Sequence, residues 1–127
     1  MADVNRGDRP LSPHLQVYRP QINSVMSILH RLTGIALTVG AVAVVWWLFA
    51  AAHSPEYFAV ADDTLSGPLG GFVLLGSLWA LMYHTFNGIR HLFWDAGYGY
   101  DLDTVAKSGW LVIVASFAAT ALIWLIA

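Results

Sequence analysis

Three long runs without a formal charge dominate the chain, and about 20 apolar residues is the length an α-helix needs to cross the hydrocarbon core of a bilayer. The first, Leu32 to Ala52, has no ionisable side chain. The second, Thr64 to Ile89, is interrupted only by His84 and has Gly67, Pro68, Gly70 and Gly71 at its entrance. The third runs from Ser108 to Ala127. In lipid each backbone polar group must be satisfied within the segment, so these runs are helices. The expectation is an all-α membrane protein with three transmembrane helices, spans at about 27–52, 69–95 and 108–127, forming one domain over 1–127. An interfacial segment, 1–26, precedes them; Pro10, Pro13 and Pro20 keep it from forming a long helix. Composition agrees: 11% of residues are charged, against roughly a quarter in soluble domains.

All six basic residues lie at one membrane surface, Arg6, Arg9, Arg19 and Arg31 before the first span and Arg90 and Lys107 between the second and third. The intervening acidic loop, His53 to Ser66, has none, so the positive-inside rule puts the N-terminus in the cytoplasm and the C-terminus outside. A long polar stretch ahead of the first span, with no small-residue cleavage site after it, is unlike a secretory signal. Asp3 and Asp8 are unlike a mitochondrial transit peptide, which makes a bacterial inner membrane the expected location. A net charge of −2 argues against nucleic acid as a partner. The absence of cysteine excludes disulfides, thiolate metal sites and cysteine-ligated iron–sulfur clusters, so a redox centre has to use histidine, methionine or an organic cofactor. No phosphate loop, nucleotide fingerprint or nucleophile triad is present.

Polar residues inside the apolar spans carry the functional information. At helical spacing Ser27, His30, Arg31 and Gly34 share one face, which reads as a wall for an acidic or carbonyl-bearing ligand. An arginine at a span's end ordinarily snorkels to headgroups, and only the neighbouring hydroxyl and imidazole argue for more. His84 lies roughly 9 Å along the helix before Arg90, well inside the bilayer, where ionisable groups are costly and usually functional. A neutral imidazole there either hydrogen-bonds a neighbouring helix or ligates haem iron. Gly88, one turn on, would let a flat macrocycle approach the backbone. His91, about 10 Å further along the same face, cannot share an iron with His84. The opposite ligand then comes from another helix, either His30 or His14 of this chain or a histidine of a second membrane subunit. Arg90, His91 and Arg31 suit haem propionates, the rim of a quinone pocket or lipid headgroups. Asp95 is read as a solvated carboxylate that could pair with Arg90. Trp46, Trp47, Trp94 and Trp110 are read as interface residues. The pairs Ala36/Gly40 and Ala115/Ala119 would allow close helix packing.

Three blocks, Arg9-Pro-Leu-Ser-Pro-His-Leu-Gln-Val-Tyr18, Ser27-Ile-Leu-His-Arg-Leu-Thr-Gly34 and His84-Thr-Phe-Asn-Gly-Ile-Arg-His-Leu-Phe-Trp-Asp95, resemble the cytochrome b large anchor subunits of succinate dehydrogenase, respiratory complex II. The resemblance extends over the whole chain. It implies that His84 is an axial ligand of a haem b shared with a second small anchor subunit. It also implies that Ser27 and Arg31 line a ubiquinone site, that His30 and Arg31 lie near the haem propionates, and that His91 is a further candidate. The implied partners are a flavoprotein, which oxidises succinate, an iron–sulfur protein and the second anchor. Two other classes compete with this reading, a cofactor-free structural anchor and a small proton channel using His84 and His91. The clustering of polar residues at one membrane surface disfavours the channel.

Overall fold

The computed structural model describes His14, Leu15 and residues 17–127. Arg6, Arg9, Pro10 and Pro13, and with them most of the first sequence block, lie outside the described residues. Four helices follow in order, α1 (Ile22–His53), α2 (Pro55–Ser66), α3 (Pro68–Asp95) and α4 (Leu102–Ile126). Among the described residues there is no strand. α1, α3 and α4 are long and apolar enough to cross a membrane, and they form the bundle expected. α2 is an addition: a helix stands where the sequence suggested a loop.

The local chemistry explains the extra helix. Ser54 precedes a proline, which pushes it out of the α region (φ −161°, ψ 155°) and ends α1. The same Ser54 side chain then accepts from the Tyr57 N–H, and Pro55 occupies the first turn, where its missing N–H costs nothing. The Glu56 carboxyl is held below its usual range by its own backbone N–H and then by the Ser54 hydroxyl. α2 folds back on α1 through Trp46 Nε1 donating to Tyr57 Oη at 2.8 Å and Trp47 Nε1 donating to Asp62 Oδ1 at 3.1 Å. These two tryptophans therefore hold a helix as well as sitting near a span's end. At the α2–α3 corner a Cβ on Gly70 would lie 2.3 Å from the Thr64 carbonyl oxygen, so only glycine lets the two helices meet there. The α3–α4 connection turns through Gly97 (φ +87°) and Gly99 (φ +77°), the left-handed region that side chains rarely adopt. Asp101 caps α4 by accepting from the Thr104 N–H at 2.9 Å, and the Thr104 hydroxyl together with this N–H lowers its carboxyl pKa.

α3 is the central element. It packs on α1 around Met26 and Tyr83, whose hydroxyl donates to the Met26 carbonyl at 2.9 Å, and on α4 around Val112 and the Trp79–Phe117 ring pair. Gly40 approaches Ser77, where a Cβ would make ordinary contact at 3.6 Å, so one of the small residues singled out does lie at the α1–α3 seam. Much of the apolar surface remains uncovered: Ile35, Val39 and Val42 form an exposed stripe at helical spacing along α1. A stripe of that extent on a candidate span requires lipid or another subunit to cover it.

Candidate functional site

The seam between α1 and α3 gathers the histidines. His84 Nδ1 lies 3.1 Å from the His30 carbonyl oxygen and 3.2 Å from Thr33 Oγ1. The one proton of the Thr33 hydroxyl has the Leu29 and His30 carbonyls within reach, at 2.8 and 3.0 Å, so the hydroxyl faces His84 as an acceptor. Two acceptors at one ring nitrogen assign the proton to Nδ1 and leave a lone pair on Nε2, which has no hydrogen-bond partner among the described residues. Gly34 completes the seat, because a Cβ there would press on His84 Cε1 at 3.1 Å. Nothing lies within 4 Å of a Cβ on Gly88. The glycine that makes room for the imidazole is therefore on the facing helix, and Gly88 is open on the chain's own side.

His30 slots between the two α3 histidines. Its ring stacks on His84 at 3.9 Å with planes 9° apart, and on His91 at 5.2 Å and 19°. His91 Nδ1 lies 2.7 Å from the Asn87 carbonyl oxygen. His84 and His91 thus share a face, as their spacing implied, and α1 inserts a third imidazole between them. The rings lie face to face, so their nitrogens sit beside one another instead of converging on a point. Consistently, no group of three or more histidine, aspartate or glutamate side chains poised to hold a metal ion is found among the described residues. His30 Nδ1 is buried without a partner.

Ser27 and Arg31 fall on the exposed edge of the same α1 face, while His30 and Gly34 turn to α3. Ser27 borders a cavity of about 350 Å³ shared with Asn23, Asn87, Arg90 and His91, at the junction of α1, α3 and the start of α4. Arg31 does not line this cavity. Ser27 and His91 are therefore brought to one cavity, His30 and His84 to one stack, and Arg31 stands apart on the surface. His14 lies in an exposed turn ahead of α1.

The Arg90 guanidinium turns into the bundle, only 6% exposed, and borders the Ser27 cavity. Nε donates to Ser108 Oγ at 2.9 Å, and Nη2 donates to Asn23 Oδ1 at 3.0 Å and the Val105 carbonyl at 2.8 Å. The cation also stands 4.0 Å over the Trp94 ring. Asp95 is exposed and does not pair with it; the ion pair among the described residues is Lys107–Asp103. Arg90 has hydrogen-bond acceptors around it but no carboxylate.

Sequence reasoning assigned no role to Thr33, Tyr83, Asn23 or Asn87. Thr33 lies one turn after His30, and its hydroxyl helps orient His84. Asn87, one turn after His84 in an apolar helix, was the remaining signal.

Comparison with known proteins adds an independent line. Residues 5–123 match the family model described as succinate dehydrogenase/fumarate reductase transmembrane subunit. The succinate dehydrogenase cytochrome b556 subunit of Paracoccus denitrificans is 53% identical over 116 residues, covering 91% of this chain and 89% of the relative. The protein of the same description from Rickettsia conorii is 43% identical over 116 residues, covering 91% and 90%. The succinate dehydrogenase cytochrome b560 subunit of Reclinomonas americana is 35% identical over 124 residues, covering 94% and 86%.

Proposed function

We propose, from the premise that this chain belongs to the succinate dehydrogenase/fumarate reductase transmembrane subunit family, that it serves a succinate:ubiquinone oxidoreductase in three ways. It anchors the enzyme in the bacterial inner membrane, it holds a haem b through His84, and it forms part of the ubiquinone-reduction site. The observation that carries the haem assignment is the clamp on His84. A carbonyl and a hydroxyl take the Nδ1 proton, and the free Nε2 lone pair is what a metal ligand requires. An accepting carbonyl behind a ligating imidazole also fixes its orientation and raises its basicity.

His84 would hold the haem from this chain, and a second anchor subunit would supply the further ligand, because the His30 ring lies flat against the His84 ring and is not placed to share an ion with it. Bound haem supplies a one-electron redox centre within the membrane. The chain's own part is to ligate with His84, orient that ring with His30 and Thr33, and offer His30, Arg31 and His91 to the propionates.

The Ser27 hydroxyl, which borders the cavity, and the Arg31 guanidinium, one turn along α1 on the exposed surface outside it, are the donors for a quinone oxygen. They stabilise the negative charge that develops there on reduction, in surroundings of low dielectric. With the basic residues on the cytoplasmic side, proton uptake comes from that side. Succinate oxidation and iron–sulfur electron transfer belong to the flavoprotein and iron–sulfur partners, since a chain without cysteine has no thiolate to hold a cluster.

The test is the reduced-minus-oxidised absorption spectrum of the complex purified through this chain. Wild type is expected to give a b-type band that His84→Ala abolishes or shifts. A cofactor-free anchor gives no band, and His84→Ala then changes nothing.

A further inference from the structure

Asn87 is the unexplained polar residue of the interior. It is fully buried on α3, one turn after His84 and one turn before Arg90 and His91, yet neither Nδ2 nor Oδ1 has a hydrogen-bond partner among the described residues. An asparagine amide offers two donors and an acceptor, and leaving them unpaired in a low-dielectric interior is unfavourable. The surrounding groups are already committed. Arg90 bonds Asn23, Ser108 and the Val105 carbonyl, Tyr83 bonds the Met26 carbonyl, and His91 meets the backbone carbonyl of Asn87 itself. None of these groups bonds the amide, and the residue borders the same 350 Å³ cavity as Ser27.

We infer that the Asn87 amide is a recognition group for the quinone head, contributed by α3 to the cavity that Ser27 enters from α1. This rests on the quinone reading given above and adds a residue to it. An oxidised quinone presents only acceptor oxygens, whereas the quinol also presents hydroxyl donors. A carboxylate, which only accepts, would serve only the quinol, and an ammonium, which only donates, could not accept from the quinol hydroxyl. An amide serves both, with Nδ2 donating to a quinone oxygen and Oδ1 accepting from a quinol hydroxyl. The Ser27 hydroxyl has the same dual capacity by rotation. Binding that must accommodate substrate and product in one place is thereby served without moving a charge. Retaining an unpaired buried amide at a cost in stability is what a binding group requires and a packing residue does not.

The experiment uses the purified complex and decyl-ubiquinone as probe, measuring the Kd by titration and the melting temperature for wild type, Asn87→Leu and Ser27→Ala. Leucine has the branching of asparagine without its polar atoms. Asn87→Leu is expected to melt at or above wild type while the Kd rises about tenfold, the loss of one directed hydrogen bond. A Kd unchanged in Asn87→Leu but raised in Ser27→Ala overturns the role of Asn87 and leaves the quinone site standing. A Kd unchanged in both removes the site and the inference together. Should Leu prevent assembly, Asn87→Val, with less bulk, is measured in its place. A lower melting temperature that both substitutions share overturns the inference, because the amide is then structural.

Discussion

The seat of His84 can be tested by filling it. At Gly34 a Cβ would stand 3.1 Å from His84 Cε1 and 3.7 Å from Nδ1. The ring has little room to yield, with the His30 ring stacked on one face at 3.9 Å and Nδ1 tied to the His30 carbonyl at 3.1 Å. For Gly34→Ala, overpacking of about 1–3 kcal/mol opposes a gain of about 1 kcal/mol in helix propensity, so the net loss lies between zero and about 2 kcal/mol. Gly34→Val adds two γ-carbons and regains little propensity, and its loss is about 3 kcal/mol or more. The larger consequence is directional. A ring pushed by a few tenths of an ångström stretches the bond to the His30 carbonyl and turns Nε2 away from its line. Haem content per complex and melting temperature, measured together, are expected to fall in the order wild type, Ala, Val. Gly88→Ala, with nothing of this chain within 4 Å of the new Cβ, is the comparison for a general helix effect and is expected to leave the chain's own packing intact. Full haem content and an unchanged melting temperature in Gly34→Val would refute the reasoning.

Arg90→Ala is expected to destabilise the bundle by about 3 kcal/mol or more, read as a fall in melting temperature, since bonds from one cation to α1 and α4 are lost together with its buried stem. Arg90→Lys recovers only part of this, because an ammonium lacks the planar fork that reaches Asn23 and Ser108 at once. At the surface, the Asp101 carboxyl has a lower pKa folded than unfolded because it accepts from Thr104. Its contribution is present above the unfolded carboxylate range and is lost as pH falls through the folded value. The melting temperatures of wild type and Asp101→Ala are accordingly expected to differ at neutral pH and to converge in acid. A difference independent of pH would argue against the cap.

The spans were legible because lipid imposes a length and an apolarity that few sequences meet by chance, and His84 was legible because an imidazole is conspicuous there. α2 was not. At 12 residues, with Asp62 and Asp63 in its last turns, it falls below what hydropathy detects, although the Ser54–Pro55 pair carried a stop and a start signal. The inward turn of Arg90 was not legible, because position along a helix says nothing about azimuth. Asn23 and Ser108, which turn it inward, are 67 and 18 residues away in the chain.

What the sequence determined by itself is the set of one-dimensional properties: three helices of bilayer length, no basic residue between the first two spans, no thiol, and a histidine inside the second apolar run. What only the tertiary structure decided is how those groups face one another. The tautomer of His84, the insertion of His30 between His84 and His91, the separation of Arg31 from the Ser27 cavity and the isolation of the Asn87 amide all depend on how α1 and α4 cross α3. That crossing is set by side-chain packing between helices, at Gly34 and Tyr83 among others. Helical periodicity orders residues around one axis and carries no information about the rotation of the next.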